Sequence, residues 1–505
     1  MSTPTIQRQS IFSAIIIVLG FGFGALNILF LQKLVLSAEQ WGLTRVIAES
    51  ALLLSSFATL GMPMIAGKFL PFYNRYLPAG QNDLPFHALR ISLLGLLLVV
   101  AFLVVARQPT ISFFGRNNPI FPPYYYALVL FTVFQSMFLF TEVYAAYAGK
   151  AVISNAIKEL MFRVLTTVCL LLLWTKLVSF STFVALFAST YLPCALLMVV
   201  VLLRAGQLRF YTRTSTVTRR LKQKMVSYGS FVMFSQISNI AFLVCDTLFL
   251  ARMYNFSQAG IYAVAQYFSQ VVEIPIRSTQ APSIPRLAEY WRAKNMEGIQ
   301  SIYRKSCVNL LIAAMAIGGV IIVNLHNLGR FYGNTYNTML LPLAVLVLAR
   351  WINAGTGLNT IILQLSPRWR FDFYSTLIYS IIGIPLNALL IHNMGMLGAA
   401  LANVIAMLLY NGVRFWFLYH RFGLQPFSWR NGGVLLGGGL VIAVIYAVPA
   451  LPNLWADGIC RTTLFALAYA TLMVKAGLSP EVTQLWHKWS HKALHALGMG
   501  NRTAV

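Results

Sequence analysis

The sequence predicts an all-α polytopic membrane protein of about 14 transmembrane helices, and three observations support that fold class. The chain of 505 residues is 58% hydrophobic and only 10% charged, whereas soluble domains carry about 25% charged residues. Apolar stretches recur along the whole length, and about 20 such residues cross a bilayer as a helix. The third observation is an internal duplication. It predicts two six-helix lobes, related by a pseudo-twofold axis, and two extra C-terminal helices.

Fourteen apolar stretches are the predicted spans. The first is interpreted as a retained helix, because no small-residue cleavage site of a signal peptide follows it. They cover residues 10–32, 43–66, 89–106, 122–146, 151–175, 178–203, 226–251, 259–281, 306–324, 338–363, 372–392, 396–419, 432–450 and 458–476. No large soluble domain fits between them.

Lysine and arginine are divided unequally between the two alternating sets of connecting loops. Roughly twenty-five lie in the set that contains both termini, and such an excess marks the cytoplasmic side. The other set and its helix ends hold eight: Lys33, Arg45, Arg107, Arg116, Lys176, Arg252, Arg330 and Arg461. We therefore predict cytoplasmic termini. The net charge of +26 then indicates topology and affinity for the anionic inner leaflet, with no nucleic-acid partner.

The two halves of the chain share motifs at a nearly constant offset. Gly42 in "FLQKLVLSAEQWGL" and Gly260 in "FLARMYNFSQAGIY" are 218 positions apart, and Pro63 and Pro282 are 219 apart. Because the offset is an even number of spans, both lobes have the same orientation, and a cavity is expected between them. The predicted domains are an N-lobe with a basic cytoplasmic linker (1–224), a C-lobe (225–425), and helices 13 and 14 with an amphipathic cytoplasmic tail helix (426–505).

Polar side chains recur at helical spacing inside several spans. Four in the eighth span are separated by four, three and four positions, which places them on one stripe of a helix: Gln266, Gln270, Glu273 and Arg277. Similar lines in the fifth and tenth spans contain Glu159, Arg163, Arg350 and Asn353. A charge at the centre of a membrane helix costs about 2.5–3.5 kcal/mol on insertion scales. These stripes are therefore not expected to face lipid.

Asp246 lies in the middle of the seventh span, and the duplication pairs it with Asn27 of the first span. Glu142 is a further acid within a span. Arg414 lies near the inner end of its helix, where we expect its long side chain to reach water.

Two interpretations of these residues remain open. In one, Glu159 with Arg163 and Glu273 with Arg277 are i,i+4 pairs that brace helix contacts. In the other, they line a water-filled cavity and meet substrate or coupling ions. A guanidinium holds phosphate or carboxylate through a fixed fork of donors, so a cavity rich in arginine favours an anionic ligand.

Several chemistries are disfavoured by the motifs. "AGKAV" has only the Gly-Lys pair of a phosphate-binding loop, so ATP hydrolysis is not expected. The five cysteines lie within or at the edge of apolar spans without metal-binding spacing, so no cofactor is predicted. The longest outer loop, about 107–121, is too short for an active site of its own. We therefore predict a non-enzymatic protein and treat a membrane glycan polymerase or ligase as a less favoured alternative.

Four segments resemble the polysaccharide flippases, the Wzx-type translocases of lipid-linked O-antigen units. They are "LSAEQWGL" at Leu36 to Leu43, "CDTLFLARM" with Asp246, the exit Pro282 to Arg286, and "MGMLGAALANVIAMLL" at Met394 to Leu409. The superfamily of multidrug, oligosaccharidyl-lipid and polysaccharide transporters also holds multidrug extruders and the lipid II flippase. The resemblance covers nearly the full chain.

The resemblance implies alternating access by a V-shaped pair of lobes in a bacterial inner membrane. The cargo would be an undecaprenyl-pyrophosphate-linked oligosaccharide for lipopolysaccharide or a related glycan, with a glycan polymerase as a possible partner. Arg163, Arg277, Arg350, Gln266, Gln270 and Asn353 would line a cationic cavity. Proton or sodium coupling would use Asp246, Glu273, Glu142 or Glu159. The alternative is a cation-coupled multidrug extruder.

Overall fold

The computed structural model describes residues 16, 19–20, 22–78, 81–145, 149–206 and 211–484. Every regular element within those ranges is a helix, which confirms the predicted fold class. The predicted spans from the second to the fourteenth each coincide with one helix or with helices separated by a short break, and the part of the first span from residue 22 onwards is helical. The predicted tail helix beyond residue 484 lies outside the described residues.

We number the helices by span. They are α1 (Gly22–Val35), α2 (Ala38–Ala58 and Met62–Tyr76), α3 (Leu84–Val105), α4 (Tyr125–Ala145), α5 (Ala151–Ala156, Ile157–Met161 and Phe162–Trp174), α6 (Phe180–Ala188 and Tyr191–Arg204), α7 (Thr216–Met253), α8 (Phe256–Val271 and Ile274–Arg292), α9 (Met296–Val323), α10 (Leu340–Gly355 and Asn359–Leu365), α11 (370–394), α12 (396–422), α13 (Trp429–Tyr446) and α14 (Leu454–Lys475). Gly395, with φ of 56°, separates α11 from α12.

The helix breaks have local causes. The two parts of α2 differ in direction by 45°, and Gly61 between them has φ of +70°. Pro275 lies in the first turn of the second part of α8, where the missing N–H of a proline is tolerated. By length and composition alone, eight helices in the described ranges could cross a membrane, with α11 and α12 counted as one continuous helix, or nine if bent α2 is one span.

The start of α2 and the start of α8 reproduce the duplication in the sequence. Ser37 and Asn255, which are 218 positions apart, cap these two helices. Ser37 Oγ accepts a hydrogen bond of 3.2 Å from Gln40 N. Asn255 Oδ1 accepts one of 2.9 Å from Gln258 N. The shared motifs therefore begin equivalent helices, as a duplication requires.

Gly42 and Gly260 bring the first turns of α2 and α8 into backbone contact. A Cβ atom on Gly42 would overlap the carbonyl oxygen of Phe256, and a Cβ on Gly260 would lie 2.5 Å from the carbonyl oxygen of Ala38. Each glycine thus faces the carbonyl four residues before the other glycine. The contact is reciprocal, and only a residue without a side chain allows this approach.

The chain divides into two compact units, residues 1–264 with 384–395 and residues 265–383 with 396–505. The apolar core of the first unit contains buried side chains of α2, α3, α4 and α6, including Phe138 and Met198. The core of the second unit lies between α9, α13 and α14, where Phe465 packs on Gly319. The lobe boundaries at 224 and 425 rest on the sequence offset and stay a prediction.

Large apolar side chains are exposed along α3 and α13. They are Leu93, Leu94, Leu97, Leu98, Phe102, Leu435, Leu436, Leu440 and Val444. Water would disfavour such continuous apolar faces, whereas hydrocarbon tails cover them without loss. This distribution agrees with a multi-pass membrane protein.

Candidate functional site

Glu273 is shared by two arginines in the second unit. Its Oε1 accepts a hydrogen bond of 2.9 Å from Arg350 Nη1, and its Oε2 accepts one of 3.4 Å from Arg277 Nη2. The Glu273 and Arg350 side chains are 13% and 11% exposed, whereas the Arg277 side chain is 51% exposed. One carboxylate between two guanidinium groups leaves the cluster with a net positive charge.

The backbone around Glu273 is interrupted, which corrects the predicted single stripe of the eighth span. Helix α8 ends at Val271 and restarts at Ile274, with Glu273 as the cap of the second part. Gln266 and Gln270 therefore lie on the first part and Arg277 on the second. Gln266 is buried and Gln270 is half-buried. Glu273 lies at this break, and its carboxylate contacts Arg350 on α10.

Asn353 joins this cluster from α10. Its Nδ2 donates a hydrogen bond of 3.3 Å to Glu273 Oε1. Helix α10 is itself interrupted just beyond, between Gly355 and Asn359, and Gly357 there has φ of +63°. Two broken helices therefore form this cluster. Broken helices expose backbone groups and are found in proteins at ligand and ion sites.

The first unit contains a second arginine-glutamate pair, on α5. Arg163 Nη2 lies 3.0 Å from Glu159 Oε2, and both side chains are partly exposed. The segment Ile157–Met161, which includes Glu159, is π-helical. Such insertions in α-helices are frequent at functional sites.

Asn27 contacts this pair from α1. Its Nδ2 donates to the carbonyl oxygen of Arg163 at 3.0 Å, and its Oδ1 accepts from Thr167 Oγ1 at 2.7 Å. Asn27 lies in a π-helical segment, Leu26–Leu31. Glu142 lies on α4, and Lys158 Nζ of α5 approaches its Oε1 at 3.2 Å. Glu142 is therefore paired with the lysine that directly precedes Glu159 in the sequence.

Asp246 is almost fully buried in the first unit and is held by two donors. Tyr262 donates its hydroxyl to Asp246 Oδ2 at 2.9 Å, and Asn387 Nδ2 donates to Oδ1. A second acid of this unit, Glu49, is buried on α2 and paired with Arg45 at 2.6 Å. Asp246 is thus a buried carboxylate that accepts hydrogen bonds from α8 and α11.

The Asp246 and Asn27 contacts follow the duplication. Asp246 of α7 contacts Asn387 of α11, and Asn27 of α1 contacts Thr167 of α5. The two equivalent pairs are offset by 219 and 220 positions. These contacts support the correspondence of Asp246 and Asn27, which stays a prediction, and only Asp246 carries an ionisable group.

Arg414 differs from the expectation that it would reach water. Its side chain is completely buried. It donates to Asp372 Oδ1 from α11 and lies over the ring of Tyr410, with its Cζ 3.7 Å from the ring centre. Burial is possible because Asp372 neutralises the guanidinium, and this partner is 42 positions away in the sequence.

The described residues contain no group of three or more His, Cys, Asp or Glu side chains that could hold a metal ion. The site chemistry there is that of arginine forks, carboxylates and amides. Such groups bind and exchange anionic partners through charge-assisted hydrogen bonds.

Comparisons with known proteins agree with this architecture. A lipid II flippase MurJ in an inward closed conformation has a TM-score of 0.63 and 14% identity, over 93% of this chain and 98% of that chain. A multidrug resistance MATE family transporter of the MOP superfamily, facing inward, has a TM-score of 0.64 and 12% identity, over 81% and 94%. A mutant of the Vibrio cholerae MATE transporter VcmN has 0.54 and 14%, over 83% and 97%.

Identities this low show a shared fold. No curated protein sequence matches the chain significantly. A family model described as polysaccharide biosynthesis protein matches residues 6–291, more than half of the chain. The predicted resemblance is confirmed at this level, and the chain belongs to the polysaccharide biosynthesis protein family.

Proposed function

We propose that this protein is a flippase that moves an undecaprenyl-pyrophosphate-linked oligosaccharide from the cytoplasmic to the periplasmic leaflet of a bacterial inner membrane. The family match and the transporter fold support a translocator of a lipid-linked substrate. The protein would perform no covalent chemistry. The cargo would serve O-antigen or a related surface polysaccharide.

The sharing of Glu273 by Arg350 and Arg277 is the observation that carries this proposal. In the empty site the carboxylate occupies donors of both guanidinium groups. A pyrophosphate offers more acceptor oxygens and more negative charge than one carboxylate, so it can displace Glu273. When the head group leaves, Glu273 returns and neutralises the arginines. Binding is therefore reversible, as transport requires.

Arg163 in the first unit would act in the same way. Glu159 holds one side of its guanidinium at 3.0 Å. This pair and the Glu273 cluster have the same chemistry, an arginine whose neutralising acid lies four positions earlier. Gln266, Gln270 and Asn353 would contribute neutral hydrogen bonds to the sugars or phosphates.

The membrane would contribute to cargo capture. The prenyl tail would stay in lipid, and the basic segments 204–225 and 282–305 would lie on the anionic inner leaflet. This arrangement follows from the proposed cytoplasmic location of both termini. A glycan polymerase would consume the product on the periplasmic side.

Asp246 is the proposed coupling residue for a proton or sodium gradient. It is buried and accepts hydrogen bonds from Tyr262 and Asn387. We expect Asp246→Asn, which keeps the size and removes the charge, to abolish the dependence of transport on the gradient. Transport in vesicles with an imposed proton or sodium gradient measures this effect.

Asp457→Asn is the matched control for Asp246→Asn. Asp457 is equally buried, and it is paired with Arg461 at 2.8 Å. This variant should be less stable and should keep its gradient dependence. If Asp246→Asn keeps that dependence too, coupling belongs to another acid, with Glu142 and Glu273 as the next candidates.

Cells that lack the protein provide the test of the function itself. We expect them to accumulate an undecaprenyl-pyrophosphate oligosaccharide in the cytoplasmic leaflet, and the chain restored on a plasmid should reverse this. Extraction and mass spectrometry identify the lipid, and a membrane-impermeant glycan-modifying reagent assigns the leaflet. Normal lipid levels with raised sensitivity to cationic drugs would instead favour a multidrug extruder.

A further inference from the structure

Asn411 and Arg414 lie one turn apart on α12 and contact both sides of the break in α10. Asn411 Oδ1 accepts hydrogen bonds from Thr356 Oγ1 at 2.9 Å and from Asn359 Nδ2 at 2.8 Å. Thr356 precedes Gly357 and Asn359 follows it. A single amide oxygen therefore connects the chain on either side of the interruption.

Arg414 holds the second part of α10. Its Nη1 donates to Thr360 Oγ1 at 2.5 Å, and its Nε donates to Ser375 Oγ at 3.1 Å. With the ion pair to Asp372, the guanidinium fixes the short Asn359–Leu365 segment against α11 and α12. The buried guanidinium donates four hydrogen bonds, to Thr360, Ser375, Asp372 and Thr376, which makes this arrangement rigid.

The same contacts extend to Glu273. Asn411 Nδ2 lies 3.5 Å from Asn353 Oδ1, and Asn353 Nδ2 donates to Glu273 Oε1 at 3.3 Å. Hydrogen bonds thus run from Asp372 through Arg414, the α10 break and two asparagines to the carboxylate between Arg350 and Arg277. All of these residues lie in the second unit.

Packing by α9 makes the geometry of the break specific. A Cβ atom on Gly357 would lie 2.6 Å from Ser306 Oγ and 2.7 Å from Cys307 Sγ, and Ser306 Oγ accepts a hydrogen bond from Leu358 N at 3.3 Å. The positive φ of Gly357 is unfavourable for other residues. The break therefore has one well-defined shape, and Asn411 forms hydrogen bonds with residues on both sides of it.

We propose that Asn411 and Arg414 are positioning residues that clamp the α10 break, so that Asn353 holds Glu273 between Arg350 and Arg277. The proposal deepens the proposed function, on which it rests for its biological meaning. The clamp determines how tightly Glu273 occupies the arginines and hence how readily an anionic head group displaces it. Neither clamp residue needs to touch the cargo.

Labelling of Glu273 by an apolar carbodiimide tests the clamp without any cargo. The reagent modifies membrane carboxyl groups that become protonated and accessible, and mass spectrometry of the purified protein gives the rate at Glu273. We expect Asn411→Leu to raise this rate about two- to tenfold, the range that corresponds to loss of one net hydrogen bond. Arg350→Ala, which removes a direct partner, serves as the positive control.

Arg461→Lys is the control for a purely structural effect. Arg461 is also buried and paired with an aspartate in the second unit, Asp457, and its other hydrogen bonds go to the carbonyl oxygens of Ile445 and Val448 at the end of α13. The substitution Arg461→Lys should lower the thermal stability of the protein and leave the labelling rate of Glu273 unchanged. An unchanged rate in Asn411→Leu, with faster labelling in Arg350→Ala, overturns the clamp. Unchanged rates in both variants also overturn it, because the contacts then do not hold Glu273.

A binding measurement separates the clamp from the proposed function. Inorganic pyrophosphate is the probe, and the folded fraction of each variant is measured in parallel. Changed labelling and changed pyrophosphate affinity in Asn411→Leu support both proposals. Changed labelling without any pyrophosphate binding by the natural protein supports the clamp and contradicts the pyrophosphate assignment.

Discussion

Replacing Arg350 by alanine is expected to abolish glycan export while the protein still inserts in the membrane. Arg350 is the less exposed of the two arginines that hold Glu273, and its Nη1 makes the shorter contact, 2.9 Å against 3.4 Å. Removing one partner of a desolvated charge pair costs about 2–5 kcal/mol. If Arg350 pairs with the head group of the cargo, its removal lowers the affinity for the cargo about 30-fold or more. Surface glycan, normalised to membrane-inserted protein, measures the effect.

Lysine variants separate charge from geometry in this prediction. Arg350→Lys keeps the charge and loses the planar fork, so we expect an intermediate loss of export. Arg461→Lys makes the same exchange at a buried arginine that is paired with Asp457 and should retain export per folded molecule. Equal export by Arg350→Lys, Arg350→Ala and the natural protein would show that Arg350 does not bind the head group.

Replacing Gly42 by alanine is expected to destabilise the contact between the first turns of α2 and α8. The new methyl group would overlap the carbonyl oxygen of Phe256, and main chain cannot yield as a flexible side chain does. Overpacking of this kind costs about 1–3 kcal/mol. The melting temperature of the purified protein in detergent should therefore fall.

Gly439→Ala is the matched control for this substitution. Gly439 lies in α13 with no atom near the position of a Cβ, so alanine there should be neutral or stabilising. The double variant Gly42→Ala with Gly260→Ala tests whether the two glycines share one contact, and its loss of melting temperature is compared with the losses of the two single variants. Once one methyl group has separated the helices, the second should add little. Fully additive losses would show that the two glycines do not share one contact.

The sequence alone predicted the features that depend on local or periodic signals. The spans follow from apolar length, and the duplication follows from constant offsets such as that of Gly42 and Gly260. The pairs Glu159 with Arg163 and Glu273 with Arg277 were predictable because residues four apart are neighbours on a helix. The structure contains both pairs.

Contacts between distant segments could not be predicted in this way. Arg350 and Glu273 are 77 positions apart on two different helices, and no pattern within either span relates them. Pro275 was a visible signal of a helix start, but apolar periodicity across residues 259–281 favoured one continuous helix. Arg414 was expected to reach water because it lies near the inner end of its helix, and the sequence did not indicate its partner Asp372 on α11. An arginine three positions after Asn411 in an apolar helix was the available signal for the clamp.

The most direct test of the central claim is a flipping assay with the purified protein in vesicles. The lipid is a fluorescently tagged prenyl-pyrophosphate oligosaccharide, and a membrane-impermeant quencher reports its leaflet. The account predicts that the natural protein and Arg461→Lys speed equilibration between leaflets, and that Arg350→Ala does not. Equal rates for Arg350→Ala and the natural protein, or no acceleration by the natural protein over empty vesicles, would contradict it.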